Sequence, residues 1–244
     1  MPQNLILSTS ACPAISCMVS IPEVSMNPSL YAHPFAAYCQ KVLIALYENG
    51  TDFIYRKFGP EDPTAMSELT ARWPLKKFPV LVEDGQTYVE STVIIEHLAI
   101  RHPGAVQLIP KNPETALETR MMDRFFDNYV MTPMQRIVAD FMRAKSDRDP
   151  IGVKEACALL DTSYGWLNGV MATRRFACGD DFSLADCAAA PSLFFSDWVH
   201  EIGATFPHAR AYRERLLARP SVARAVDEAR PYRHLFPPGA PNRD

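Results

Sequence analysis

The sequence lacks the patterns that define several classes of protein. None of its 6 cysteines forms a CxxC pair, and no group of cysteines and histidines has the spacing of a zinc site, so no metal is expected. No apolar run approaches the roughly 20 residues that cross a bilayer. The formal net charge of -3 offers no basic surface to nucleic acid or anionic lipid. We therefore expect a globular cytoplasmic protein with reduced thiols and no nucleic-acid or membrane partner.

The first 26 residues differ in composition from the rest of the chain. They are rich in serine, proline and small residues and show no periodic pattern. They also lack the basic first region of a signal peptide, so secretion is not expected. We predict that residues 1–26 form a disordered extension, and Met26 offers an alternative start.

Residues 27–102 show a mixed order of strand and helix signals. Short apolar strands are expected at 29–31, 52–58, 80–82 and 87–89, and helices at 38–49, at 62–73 and from Ser91 onward. Asn49-Gly50 suits a helix end, and Asp84-Gly85 suits a two-residue hairpin turn. This order predicts a small α/β domain with a mixed sheet.

Residues beyond 102 carry helical signals only. Four prolines and glycines at 103, 104, 110 and 113 mark a linker over 103–112. Helical patterns follow at 114–143 (interrupted by Pro133), 153–171, 183–200, 209–217 and 221–228. We predict an all-helical domain over 113–236 and a tail over 237–244.

Four short segments carry a resemblance to a known family. They are Tyr38-Cys39-Gln40-Lys41-Val42, Phe78-Pro79-Val80-Leu81, Glu90-Ser91 and GDDFSLAD at 179–186. In this order and spacing they resemble the cytosolic glutathione transferase superfamily, of bacterial type, over about residues 27–236. The resemblance implies an α/β thioredoxin-like N-terminal domain followed by an all-α C-terminal domain. It also implies glutathione as the co-substrate and a homodimer.

The resemblance assigns a glutathione-binding role to five residues. Pro79 is implied to follow a cis bond, so that the backbone of Phe78 pairs with the cysteinyl part of glutathione. Ser91, taken as a helix N-cap, and the helix N-terminus suit the γ-glutamyl carboxylate, and Glu90 suits its ammonium group. Lys77, which matches the family position better than Lys76, is implied to reach the glycyl carboxylate. Without the resemblance, the same residues are equally consistent with ordinary structural roles: a trans proline at a strand start, a helix cap and solvent-exposed lysines.

The residue expected to activate the thiol is missing. Related sequences carry serine or cysteine where this chain has Ala36, and alanine donates no hydrogen bond. Three other groups remain as candidates: the backbone N–H groups near Ala37 and Tyr38, the phenol of Tyr31, and the ring of His33, in that order. Without a partner at Ala36, Cys39 cannot cycle as a dithiol and is predicted to be a buried helix residue.

Two further groups of residues complete the predicted site and its support. Phe125, Phe126 and Tyr129 are candidate walls of a pocket for the electrophile, although aromatic residues at helical spacing more often belong to a core. Ser183 and Asp186 form a capping box that we assign to the stability of the second domain.

These residues predict conjugation of the glutathione thiolate to a small hydrophobic electrophile. Two alternatives stay open: a glutathione-dependent disulfide reductase, and a non-catalytic glutathione-binding or stress-response module, which Ala36 favours. The serine-rich pattern of the isomerases of this superfamily is absent before the first helix.

Overall fold

The computed structural model describes residues 27–244, so the predicted extension at 1–26, with Cys12 and Cys17, lies outside the described residues. Its strands are β1 Ser29–Ala32, β2 Ile54–Lys57, β3 Val80–Glu83 and β4 Gln86–Val89. Its α-helices are α1 Ala37–Asn49, α2 Ala65–Arg72, α3 Ser91–Arg101, α4 Pro113–Phe125, α5 Thr132–Phe141, α6 Pro150–Met171, α7 Leu184–Val199, α8 Pro207–Leu217 and α9 Pro220–Ala229. Within residues 27–244 no helix is long and apolar enough to cross a membrane.

The four strands form one mixed sheet in the order β2-β1-β3-β4. β1 runs parallel to β2 and antiparallel to β3, and β3 and β4 form the predicted hairpin. The hairpin turns at Asp84 and Gly85, which both have positive φ, as a tight two-residue turn requires. Gly50 ends α1 in the left-handed conformation, as predicted.

The two faces of the sheet pack against different helices because side chains alternate along a strand. Leu30 and Ala32 join the main core with α1 and α3, whereas Tyr31 packs in a smaller cluster with Ala65 and Leu69 of α2. This arrangement is the predicted thioredoxin-like domain, and the fold class is confirmed.

The second domain is built around α7. Its residues from Leu184 to Asp197 are all buried, and helices α1, α4, α5 and α8 pack around it. The carboxylate of Asp186 accepts hydrogen bonds from the backbone N–H of Ser183 (2.9 Å), from its hydroxyl (3.0 Å) and from the hydroxyl of Tyr212 (2.6 Å). These bonds hold the first turn of α7 against α8.

The helix predicted over 114–143 is not interrupted at Pro133, where an interruption was expected. Pro133 lies in the first turn of α5, where the backbone stays helical from Met131 through Thr132. The interruption is instead a π-helical segment, Phe126–Met131, that joins α4 to α5. A π segment inserts extra backbone into the helix, so it changes which side chains face the neighbouring domain.

Candidate functional site

A cleft of about 640 Å³ lies where the two domains meet. It brings together the N-terminus of α1, the segment before β3, the β4–α3 junction and the segment between α4 and α5. The lining residues are Ala36, Ala37, Tyr38, Trp73, Lys76, Lys77, Phe78, Pro79, Glu90, Ser91, Arg124, Asp127, Asn128 and Gln135. All five residues predicted to bind glutathione therefore line one cleft.

The N-terminus of α1 opens onto this cleft without a side-chain cap. Ala36 is the N-cap residue and accepts the first helical hydrogen bond from the N–H of Gln40 (2.9 Å). The side-chain amide of Gln40 donates a hydrogen bond to the carbonyl of Pro34 (3.0 Å), which fixes the preceding turn. The backbone N–H groups of Ala37 and Tyr38 have no partner among the residues that the structure describes. They form the positive end of the helix dipole, a favourable place for an anion.

The bond between Phe78 and Pro79 is cis. Phe78 stands just before β3, whose first residue, Val80, pairs with Tyr31 of β1 and Val89 of β4. The backbone N–H and C=O of Phe78 make no hydrogen bond within residues 27–244. They are therefore available to pair with an extended ligand, as a strand would.

The junction between β4 and α3 differs from the predicted cap. Ser91 is the first residue of α3 and not its N-cap, which is Glu90 with φ of 67°. The positive φ turns the chain abruptly, and the carbonyl of Glu90 accepts the N–H of Ile94 at 2.9 Å. The hydroxyl of Ser91 has no partner among the described residues and is left facing the cleft, at the positive end of α3.

The wall that the second domain contributes is polar. Arg124, Asp127 and Asn128 follow one another at helical spacing, and Gln135 continues the same face on α5. Burial raises the pKa of Asp127, although the nearby ammonium group of Lys41 opposes that effect. Sequence reasoning missed this wall.

A buried ion cluster joins this wall to the first domain. The ammonium group of Lys41 lies 2.5 Å from Asp123, 2.9 Å from Asp127 and 3.0 Å from the hydroxyl of Thr92. Arg124 completes the cluster at 2.6 Å from both aspartates. Because these residues come from α1, α3, α4 and the π segment, the cluster fixes three walls of the cleft relative to one another.

The structure places the side chains of Tyr31 and His33 outside the cleft. The phenol of Tyr31 faces α2 and donates to Glu68 at 2.7 Å, and burial together with this bond raises its pKa. The ring of His33 packs edge-on against Tyr232, and burial and then the charge of Lys57 lower its pKa. Of the three candidates for thiol activation, only the α1 backbone lines the cleft.

The three aromatic residues predicted as an electrophile pocket also lie elsewhere. Phe126 is fully buried in the main core, and Phe125 packs against Trp166 with ring centroids 4.4 Å apart. Tyr129 lies on the outer surface beside Phe125. They alternate with Arg124, Asp127 and Asn128 around the helix, so they point away from the face that lines the cleft.

Two aromatic residues of the first domain also line the cleft and were not predicted as side-chain contributors. The rings of Tyr38 and Trp73 both line the cleft, and burial, followed by the charge of Asp127, raises the pKa of Tyr38 to about 12. Cys39, the next residue, is fully buried, and burial raises its thiol pKa to about 12. Cys39 is therefore a buried helix residue, as predicted, and its thiol stays protonated.

Comparison with known proteins identifies the family. Residues 30–106 match the model of the glutathione S-transferase N-terminal domain, and residues 150–215 match the model of its C-terminal domain. The chain belongs to the glutathione transferase superfamily.

Individual relatives are distant and carry different names. A probable maleylacetoacetate isomerase of Caenorhabditis elegans is 25% identical over 85% of this chain and 96% of its own length. A stringent starvation protein A homolog of Haemophilus ducreyi is 25% identical over 85% of this chain and 93% of its own length. The crystal structure of a glutathione S-transferase of Methylobacterium radiotolerans, in complex with glutathione sulfonate, has a TM-score of 0.71 and 25% identity. That match covers 82% of this chain and 95% of the other.

Proposed function

We propose that this protein is a glutathione transferase that joins the thiolate of bound glutathione to a small electrophile. In this reaction the sulfur uses its own electron pair to form a bond to a carbon of the electrophile. The leaving group departs from that carbon with the electron pair of the bond that breaks. The thiol proton has already passed to solvent. One observation carries the proposal: the α1 N-terminus, the free backbone of Phe78 and the Glu90–Ser91 junction meet in one cleft.

Each part of glutathione has a chemically matched partner in this cleft. The cysteinyl backbone pairs with the free N–H and C=O of Phe78, and the γ-glutamyl carboxylate binds the hydroxyl of Ser91 and the α3 N-terminus. Glu90 holds the γ-glutamyl ammonium group, and Lys77 reaches the glycyl carboxylate. This pose directs the sulfur toward Ala37, where unpartnered N–H groups stabilise a thiolate.

The electrophile occupies the part of the cleft between the rings of Tyr38 and Trp73 and the polar wall of the second domain. The rings offer apolar surface, while Asn128 and Gln135 offer hydrogen bonds. We therefore refine the expected small hydrophobic electrophile to one that also carries a polar substituent. Because glutathione is kept reduced in the cytoplasm, we place the reaction there.

We also propose a homodimer formed through α3 and α4. Val93 and Ile100 form an exposed apolar stripe on α3, and Leu117 and Met121 form one on α4, with Ile100 77% exposed. The pair of Arg120 and Glu96 (2.7 Å) joins the two stripes. Sedimentation at assay concentration tests this assembly, and a species of monomer mass alone would contradict it.

A non-catalytic glutathione-binding protein is the second candidate, because the N-cap of α1 is Ala36 and carries no hydroxyl or thiol. A glutathione-dependent disulfide reductase is the third, and there the bound glutathione, not the buried Cys39, would exchange.

Parallel assays with chlorodinitrobenzene and with a mixed disulfide of glutathione separate these functions. We expect conjugation to exceed the rate without enzyme and to fall in Ser91→Ala. The matched control is Ser67→Ala, since the hydroxyl of Ser67 bonds only the Thr64 carbonyl on the exposed surface of α2. Turnover of the disulfide alone would favour the reductase, and binding without turnover of either substrate would favour the non-catalytic module.

A further inference from the structure

Tyr38 lines the cleft at the N-terminal end of α1. Tyr38 is the second residue of α1, and helical side chains lean toward the N-terminal end of their own helix. Its ring is half-buried and lines the cleft beside Ala36 and Ala37. A ligand atom held at the free N–H groups of this helix end therefore lies near the Tyr38 ring.

The hydroxyl of Tyr38 is not engaged by the protein within the described residues, unlike the hydroxyls of four other tyrosines. Within residues 27–244 it makes no hydrogen bond. The partnered phenols are those of Tyr31 with Glu68 (2.7 Å), Tyr47 with Glu228 (2.6 Å), Tyr164 with the His200 carbonyl (3.1 Å) and Tyr212 with Asp186 (2.6 Å). Tyr38 thus presents a free O–H donor to the cleft.

The charged groups around Tyr38 keep this phenol protonated. Asp127 and Glu90 oppose the formation of a phenolate. Arg124 favours the phenolate, but its effect is smaller than that of burial or of Asp127. With a pKa of about 12, the hydroxyl remains a hydrogen-bond donor throughout the neutral range. A donor of this kind stabilises a thiolate without giving up its proton.

We propose that the phenol of Tyr38 donates a hydrogen bond to the sulfur of bound glutathione and so replaces the side chain that is missing at Ala36. This inference rests on the proposed function. The hydrogen bond favours the thiolate, and the thiol proton passes to solvent and not to Tyr38. The sulfur electron pair then forms the bond to the electrophile. Tyr38 acts together with the N–H groups of α1, which face the same sulfur.

The test is an ultraviolet titration of the thiol of enzyme-bound glutathione in the wild type, Tyr38→Phe and Tyr31→Phe. Tyr38→Phe keeps the ring and its packing and removes only the free hydroxyl. We expect the bound thiol pKa to be below its free value in the wild type and to rise by about one pH unit in Tyr38→Phe. Below that pKa, kcat/KM should fall about tenfold, with little change in the Kd of glutathione.

Tyr31→Phe is the matched comparison, because its hydroxyl bonds Glu68 outside the cleft, and we expect its bound thiol pKa to equal that of the wild type. A wild-type pKa in Tyr38→Phe, or a raised pKa in Tyr31→Phe instead, overturns the assignment of Tyr38 and leaves the proposed function intact. A wild-type protein that binds no glutathione, or leaves its thiol at the free pKa, overturns both.

Discussion

Lys41 is a lysine whose ammonium group is buried between the two domains. Its side chain is 1% exposed, and its partners Asp123 and Asp127 are 0% and 7% exposed. Removing one partner from a buried ion cluster is costly, because the charges left behind remain unsolvated and unpaired. Lys41 is therefore a residue on which both the stability of the protein and the geometry of the cleft depend.

We predict that Lys41→Met lowers the free energy of unfolding by about 3–5 kcal/mol, since the two buried aspartates are then left with Arg124 alone as a compensating charge. Urea unfolding of the wild type and the variant measures this change. The control is Lys57→Met, which breaks the surface pair with Glu61 outside the cleft and should cost less than about 1 kcal/mol. Equal effects of the two substitutions would contradict the role of the buried cluster.

The position of Lys41 shows what residue patterns can and cannot predict. The helical spacing of Tyr38, Val42 and Ala45 predicts the buried face of α1, and Lys41 falls on that face. A lysine there indicates an acidic partner. However, Asp127 is 86 positions away in the sequence, and no local pattern identifies it.

At the scale of the elements, Glu83 ties the end of β3 to the end of α3. One carboxylate oxygen lies 2.6 Å from Nε2 of His97 and the other lies 2.6 Å from Nε2 of His102. The ring of Tyr88 on β4 stacks on His97 at 3.7 Å. Burial alone would raise the pKa of Glu83, but the hydrogen bonds to both histidines outweigh it and leave the pKa lowered.

We predict that Glu83→Gln lowers the free energy of unfolding by about 1 kcal/mol at pH 7. A carboxyl with a lowered folded-state pKa stabilises the protein above the ordinary glutamate pKa of about 4.3. That contribution is lost as the pH falls through the folded-state value. The difference between wild type and variant should therefore shrink in acid, as followed by urea unfolding at several pH values. A difference that stays constant into acid would contradict this account.

Elements with strong local signals were predicted well, and those set by tertiary packing were not. The Asp84-Gly85 hairpin and the end of α1 at Gly50 follow from residues that tolerate positive φ. The segment Phe126–Met131 carries no comparable signal, because a π-helix and an α-helix use the same residue types. Glu90 is an intermediate case: α3 begins at Ser91 as predicted, but the N-cap is Glu90 and not Ser91, with a φ of 67° that is unusual for glutamate.

At the scale of the whole molecule, the cleft depends on how two domains meet. The motifs around Phe78 and Glu90 predicted one wall of the cleft, because these residues take the positions in the N-terminal domain that the family pattern implies. The opposite wall was predicted from the aromatic residues Phe125 and Tyr129, but the helix presents Asp127 to the cleft instead. The orientation of α4 is set by contacts with α7 and by the cluster around Lys41, which residue spacing alone does not encode.

Glutathione binding by this cleft is the central claim, and calorimetric titration of the wild type and of Ser91→Ala with glutathione tests it most directly. The hydroxyl of Ser91 at the start of α3 has no partner within residues 27–244, so its loss removes a hydrogen bond to a charged ligand group. We predict that the wild type binds, that Ser91→Ala binds about tenfold more weakly, and that Ser67→Ala matches the wild type. Absence of binding by the wild type, or equal affinity of Ser91→Ala, would contradict the claim.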